Sequence, residues 1–200
     1  ILDQAIDIFG CPEISISLQS DSTTGHLIVR LCDVAPSGSS ELISIGVLNL
    51  THRNGNEHPV PMPVGETQSL KLRLDYAGHR FLSGHKIRIA LSTAYWPFIW
   101  PAAENPVLTL AKKPACLFLP SHQKKSEGSV QVSPPIAPPA SVLTEQRVPQ
   151  SKRQVTHDMH QGKTSLTIKD DLGEVVFEKH GLVTSAVKYE SYEITAGDPL

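Results

Sequence analysis

The most constraining feature of this chain is its two-residue periodicity, which recurs in short runs with turn chemistry between them. From Ser69 to Tyr76, Leu70, Leu72, Leu74 and Tyr76 alternate with Ser69, Lys71, Arg73 and Asp75. From Lys86 to Ser92, Ile87, Ile89 and Leu91 alternate with Lys86, Arg88, Ala90 and Ser92. Ile14, Ile16 and Leu18 repeat the pattern against Ser15, Ser17 and Gln19. Successive side chains of a strand point to opposite faces, so each run predicts a half-buried strand. His26–Val34 is nearly continuous in apolar residues, broken by Arg30 and Asp33, and predicts a strand buried on both faces. Glu41–Arg53 predicts a further strand, with Gly46 marking a bulge or a close backbone approach. Val107–Leu110 and Ala115–Leu119 add two short runs, making seven strands in residues 1–120. No stretch sustains a 3.6-residue period, so the fold class is all-β, an antiparallel sandwich or barrel.

The element around which the rest is arranged runs from His79 to Pro101. Its turn, Leu82-Ser83-Gly84, leads into the alternating strand and then into Tyr95-Trp96-Pro97-Phe98-Ile99-Trp100-Pro101. Of 11 aromatic residues in the chain, four lie in this short run, and so do both tryptophans. Two prolines exclude a continuing central strand, leaving a stiff loop of large apolar side chains. Such a loop needs a cover. Tyr95, Trp96, Phe98, Ile99 and Trp100 either cap the open end of their own sandwich, dock on a neighbouring domain and line its pocket, or present rings to a sugar.

Composition excludes several functions. The formal net charge is −2, and residues 1–120 and 121–200 each carry 9 basic against 10 acidic residues, so neither part is a footprint for nucleic acid. No apolar run approaches the roughly 20 residues of a membrane helix. The chain opens at Ile1 and stops at Leu200 without a terminal signature, which reads as a piece of a longer protein. Cys11, Cys32 and Cys116 fit neither a disulfide framework nor a zinc pattern; they read as buried or idle thiols in a reducing compartment, a Cys11–Cys32 bridge being the alternative. No G-x-S-x-G elbow, Gly-rich phosphate loop or calcium ladder is present, so no catalytic residue, cofactor or metal ligand is assigned. His157 and His160 read as a solvated strand or turn, and His79 and His85 as hydrogen-bonded to a loop carbonyl or carboxylate. Arg30, Asp33, Arg53 and Arg88 read as paired ions on the sandwich surface.

After Ser121 the composition changes. Lys124–Val132 is polar, and Ser133-Pro134-Pro135-Ile136-Ala137-Pro138-Pro139 reads as an extended spacer. Thr164–Lys169 and Val175–Phe177 predict a hairpin turning at Asp170-Asp171-Leu172-Gly173, and Ala186–Ile194 one more strand. Residues 121–200 are thin in apolar content and are expected to pack on the same sandwich or on a domain outside this sequence.

The ordered series VRLCDV (29–34), ISIGVLNLTHR (43–53), a proline-rich step ending at Gly65, FLSGHKIRIALS (81–92), Trp96-Pro97 and Leu117-Phe118-Leu119-Pro120 resembles the C-terminal domain of X-Pro dipeptidyl-peptidases and the related CocE/NonD acyl hydrolases. The resemblance covers about residues 1–120. It implies a jelly-roll sandwich similar to galactose-binding folds, with a C-terminal β extension, following an α/β-hydrolase domain that carries the Ser-Asp-His triad. It implies an accessory, non-catalytic role in a serine hydrolase, expected to be cytoplasmic: buttressing the catalytic domain and helping to wall its substrate entrance, for which the clustering of Tyr95, Trp96, Phe98, Ile99 and Trp100 singles out those residues. A carbohydrate-binding module is the alternative, and a dimerisation module, giving a homo-oligomer, is a third reading. Longer members of the family continue further, against which the stop at Leu200 is early.

Overall fold

The computed structural model describes residues 1–121 and 133–198; the polar stretch Lys124–Val132 lies outside the described residues. The chain divides into two compact units, residues 1–126 and 127–200. Among the described residues there is no α-helix, only one 3-10 turn at Leu50–His52.

Nine strands build the first unit: β1 Ile6–Gly10, β2 Glu13–Ser20, β3 His26–Val34, β4 Ser40–Asn49, β5 Gln68–Arg73, β6 Ala77–Phe81, β7 Lys86–Ser92, β8 Leu108–Leu110 and β9 Cys116–Phe118. They form an antiparallel β-sandwich. In one sheet β2 is the middle strand, with β5 along one side and β8 and β9 sharing the other. In the facing sheet β3 lies between β4 and β7. A two-stranded ladder of β1 and β6 accompanies them. The alternation fixes which side chains meet: Ile14, Ile16 and Leu18 of β2, Leu70 and Leu72 of β5, and Leu27, Val29 and Leu31 of β3 share one core. Leu50, Met62 and Phe81 extend it.

Several expectations are corrected. β1 and β6 are strands beyond the seven read from the sequence. AGHRF at 77–81 offers only Ala77 and Phe81 to the core, too little apolar signal to register as a strand. β7 is an edge strand, and β3 is the centre of its sheet, as a sequence buried on both faces requires. The alternation of β5 stops before Tyr76, which is 80% exposed. There the amides of Leu74 and Asp75 turn aside to Pro12 and Ile45 carbonyls, and the Tyr76 ring lies under the Arg73 guanidinium. No disulfide forms: Cys11, Cys32 and Cys116 are free, and Cys116 is exposed.

Gly46 answers the choice between bulge and close approach. The register shift on β4 falls elsewhere, opposite Leu31 and Cys32. A side chain at Gly46 would come within 3.1 Å of the Arg73 carbonyl oxygen and 3.2 Å of Leu72 Cγ. The glycine therefore sets how closely β4 approaches β5.

The second unit is a single antiparallel sheet of four strands: β10 Leu143–Arg147, β11 Gln150–Asp158, β12 Lys163–Phe177 and β13 Leu182–Thr195. Residues 163–177 are one continuous strand and not a hairpin. β13 runs along one edge of β12, and β11 followed by β10 along the other. Asp170-Asp171-Leu172-Gly173 is a bulge within β12, where the register to β13 shifts. Gly173 has φ +76°, its amide donates to Asp171 Oδ1 at 2.9 Å, and Arg147 pairs with Asp171. Turn and bulge use the same local chemistry, so the sequence alone does not separate them. The actual turns carry Gly162 and Gly181, both at positive φ.

Gly46→Val is expected to destabilise the first unit by about 1–3 kcal/mol through overpacking, read as a lower unfolding midpoint in urea, with Gly46→Ala falling between it and the wild type.

Candidate functional site

β7 delivers the aromatic loop. Tyr95 and Ile99 close it as an isolated antiparallel bridge, with the Ile99 amide donating to the Tyr95 carbonyl at 3.0 Å. The Trp96–Pro97 bond is cis. The Tyr95 and Phe98 rings stack at 5.5 Å between centroids. Trp96 and Ile99 are half-buried, while Phe98 is 79% and Trp100 48% exposed. Both flanks are tied down. Thr93 Oγ1 donates to Asn105 Oδ1 at 3.2 Å, the Val107 amide donates to Asp21 Oδ1 at 2.8 Å, and Ser22 donates to Glu104. Gly25, at φ +143°, leaves room for Pro106: a Cβ there would stand 2.4 Å from its Cγ.

None of the five predicted residues belongs to the core or packs directly on it. Arg30 alternates with the core residues Val29 and Leu31, so it points out of the sandwich. Its guanidinium carbon lies 5.0 Å from the Tyr95 ring centroid, a cation–π distance. The aromatic loop therefore lies against the outer face of the β4–β3–β7 sheet. Beside it, between the edges of β7 and β8, a cleft of about 370 Å³ opens, lined by Leu18, Leu27, Leu91, Thr93, Pro106 and Leu108 among others. Its walls come from distant segments, and no local pattern in the sequence marks it.

The charged strand residues behave differently from the expected surface pairs. Arg53 donates to the Leu50, Val60 and Pro61 carbonyls. Asp33 is 6% exposed and is held by two imidazoles: His79 Nε2 donates to Oδ2 at 2.9 Å and His85 Nδ1 to Oδ1 at 2.8 Å. Both histidines thus bond a carboxylate, as the sequence suggested. Burial pushes the Asp33 carboxyl up, but the His79 and His85 hydrogen bonds and charges outweigh it and hold it below the usual carboxylate range. This knot ties β3 to β6 and to the turn before β7. Arg30 and Arg88 have no carboxylate partner among the described residues. His157 Nδ1 meets Thr164 Oγ1 at 2.8 Å on the surface of the second unit, and Asp158 Oδ1 caps the turn by accepting from the amides of His160 and Gln161. Among the described residues no group of three His, Cys, Asp or Glu side chains is arranged to hold a metal, and no helix is long and apolar enough to cross a membrane.

The sequence profile of the X-Pro dipeptidyl-peptidase C-terminal non-catalytic domain matches residues 1–133. The chain belongs to this family. No curated protein matches it in sequence. Among solved structures, an α-amino acid ester hydrolase superimposes on 60% of the chain with a TM-score of 0.56 at 18% identity, the match covering 24% of that protein; this likeness is one of fold. A CocE/NonD family hydrolase from Staphylococcus aureus gives a TM-score of 0.48 at 15% identity, covering 60% of this chain and 29% of its own, too slight a similarity to build on. This C-terminal domain thus spans about a quarter of the length of the ester hydrolase it matches.

Asp33→Ala is expected to cost about 3 kcal/mol at neutral pH, because it strands two half-buried imidazoles. The depressed carboxyl makes the Asp33 contribution complete above about pH 4, and it is lost as the pH falls through the folded-state value. Asp33→Asn should therefore flatten the acid limb of the stability profile, measured by thermal unfolding between about pH 3 and 7.

Proposed function

We propose that the chain is the accessory domain of a serine hydrolase that cleaves acyl, ester or X-Pro peptide bonds. It stands against an α/β-hydrolase catalytic domain, and its aromatic loop walls the substrate entrance. The observation that carries this reading is the loop itself. Phe98 and Trp100 are exposed on a segment pinned at both flanks, and the sandwich core makes no use of them. Large rings held rigid and outward lose little conformational freedom on contact, which suits them to form a fixed wall. A fixed wall positions a substrate and excludes water without taking part in bond making. Membership of a non-catalytic domain family agrees with that division of labour. Three free thiols favour a reducing, cytoplasmic setting for the parent.

In the full-length parent enzyme, Phe98→Ala and Trp100→Ala should each lower kcat/KM by about three- to tenfold with an unchanged melting temperature of this domain. Unaltered kcat and KM in both variants would remove the wall role.

A further inference from the structure

The outer face of the β4–β3–β7 sheet carries cations and no counter-charge. Alternation and register place Arg30 of β3 and Lys86 and Arg88 of β7 on it: Arg30 lies opposite Ala90, Cys32 opposite Arg88 and Val34 opposite Lys86. The β4 residues that pair with this side of β3 are Asn49, Val47, Ile45, Leu42 and Ser40. No Asp or Glu stands on this face of the three strands. Lys86 and Arg88 are exposed, and none of the three cations has an ion-pair partner among the described residues. Asp33, the nearest carboxylate in sequence, has the opposite parity and is taken by His79 and His85.

Arg30 is the most demanding of the three. It is half-buried in the middle of the central strand, and its Nε is sealed without an acceptor. Among the described residues the Tyr95 ring is the group that engages the guanidinium. Two further sealed groups lack a partner among the described residues. Ser92 Oγ is on the same face, one pair along from Arg30, and Trp96 Nε1 is in the loop that covers it. Guanidinium and indole N–H groups only donate, and a hydroxyl can donate. Such a set calls for an acceptor, and a fixed positive charge selects an anionic one. A planar carboxylate fits the guanidinium fork. Around it, Phe98 and Trp100 supply exposed aromatic surface, and Arg with Trp and Tyr is the composition of a protein-interface hot spot.

We propose that this basic face, centred on Arg30 and flanked by Arg88 and Lys86, is the docking surface for an acidic patch of the catalytic domain, with an Asp or Glu side chain of that domain paired to Arg30. The proposal rests on the accessory-domain reading above and names the electrostatic contact that fixes the aromatic loop in place.

The test is hydrogen–deuterium exchange of residues 95–100 in the full-length parent, as wild type, Arg88→Glu and Arg30→Met. The loop should be protected in the wild type. Its exchange should rise about tenfold in Arg88→Glu and in Arg30→Met, with β2 and the inner face of β3 unchanged, and Lys or Arg introduced at the facing acidic position should restore protection to Arg88→Glu. Arg88 is exposed, so its reversal leaves the sandwich intact and decides the matter if Arg30→Met loosens the core. A loop equally protected in wild type and Arg88→Glu overturns the basic anchor, while the kinetic effect of Trp100→Ala can still stand. A loop unprotected in the wild type overturns both the anchor and the docking reading.

Discussion

The constraint on which the first unit depends is that β3 must be satisfied on both faces. Leu27, Val29 and Leu31 meet the facing sheet, while Ile28, fully buried, and Arg30 lie on the other side. Backbone pairing with β4 from His26 to Val34 and with β7 from Ile28 to Val34 makes β3 the central strand, so its side chains are what choose further partners. On the inner face the choice is hydrophobic and non-directional. On the outer face Ile28, Cys32 and Val34 are buried as well, while Arg30 meets a ring and no carboxylate among the described residues. The Tyr95 ring of the aromatic loop lies over the Arg30 guanidinium on that face.

Two local devices hold the arrangement in register. Gly46 removes a Cβ that would collide with the Arg73 carbonyl and Leu72, letting the two sheets close at that corner. The Asp33 carboxylate gathers His79 and His85 from separate elements and so fixes β6 and the start of β7 against the end of β3. A buried carboxylate is costly without full hydrogen bonding, and here both oxygens are used. The rigidity of the loop that follows β7 begins with this knot and continues through the ties at Thr93 and Val107.

Separating accessory from catalytic work matches this build. The sandwich keeps its aliphatic side chains inside and leaves Phe98 and Trp100 exposed. The fold likeness to one segment of an α-amino acid ester hydrolase and the family assignment are consistent with a module that is added to a hydrolase.

By itself the sequence determined the all-β class, most strands of the sandwich and the family, because period-two alternation is written residue by residue and the core follows from it. It also singled out the aromatic loop, since four rings and two prolines within residues 95–101 are visible without coordinates. Only the tertiary structure decided that β3 and not β7 is central, that AGHRF is a strand, and that Asp170–Gly173 is a bulge inside a long strand. Strand order and the choice between turn and bulge depend on which partner a backbone finds, and that information lies far away in the chain. The unpaired state of Arg30 belongs to the same class: a charge in a strand reads as an ion pair until the residues opposite it are known.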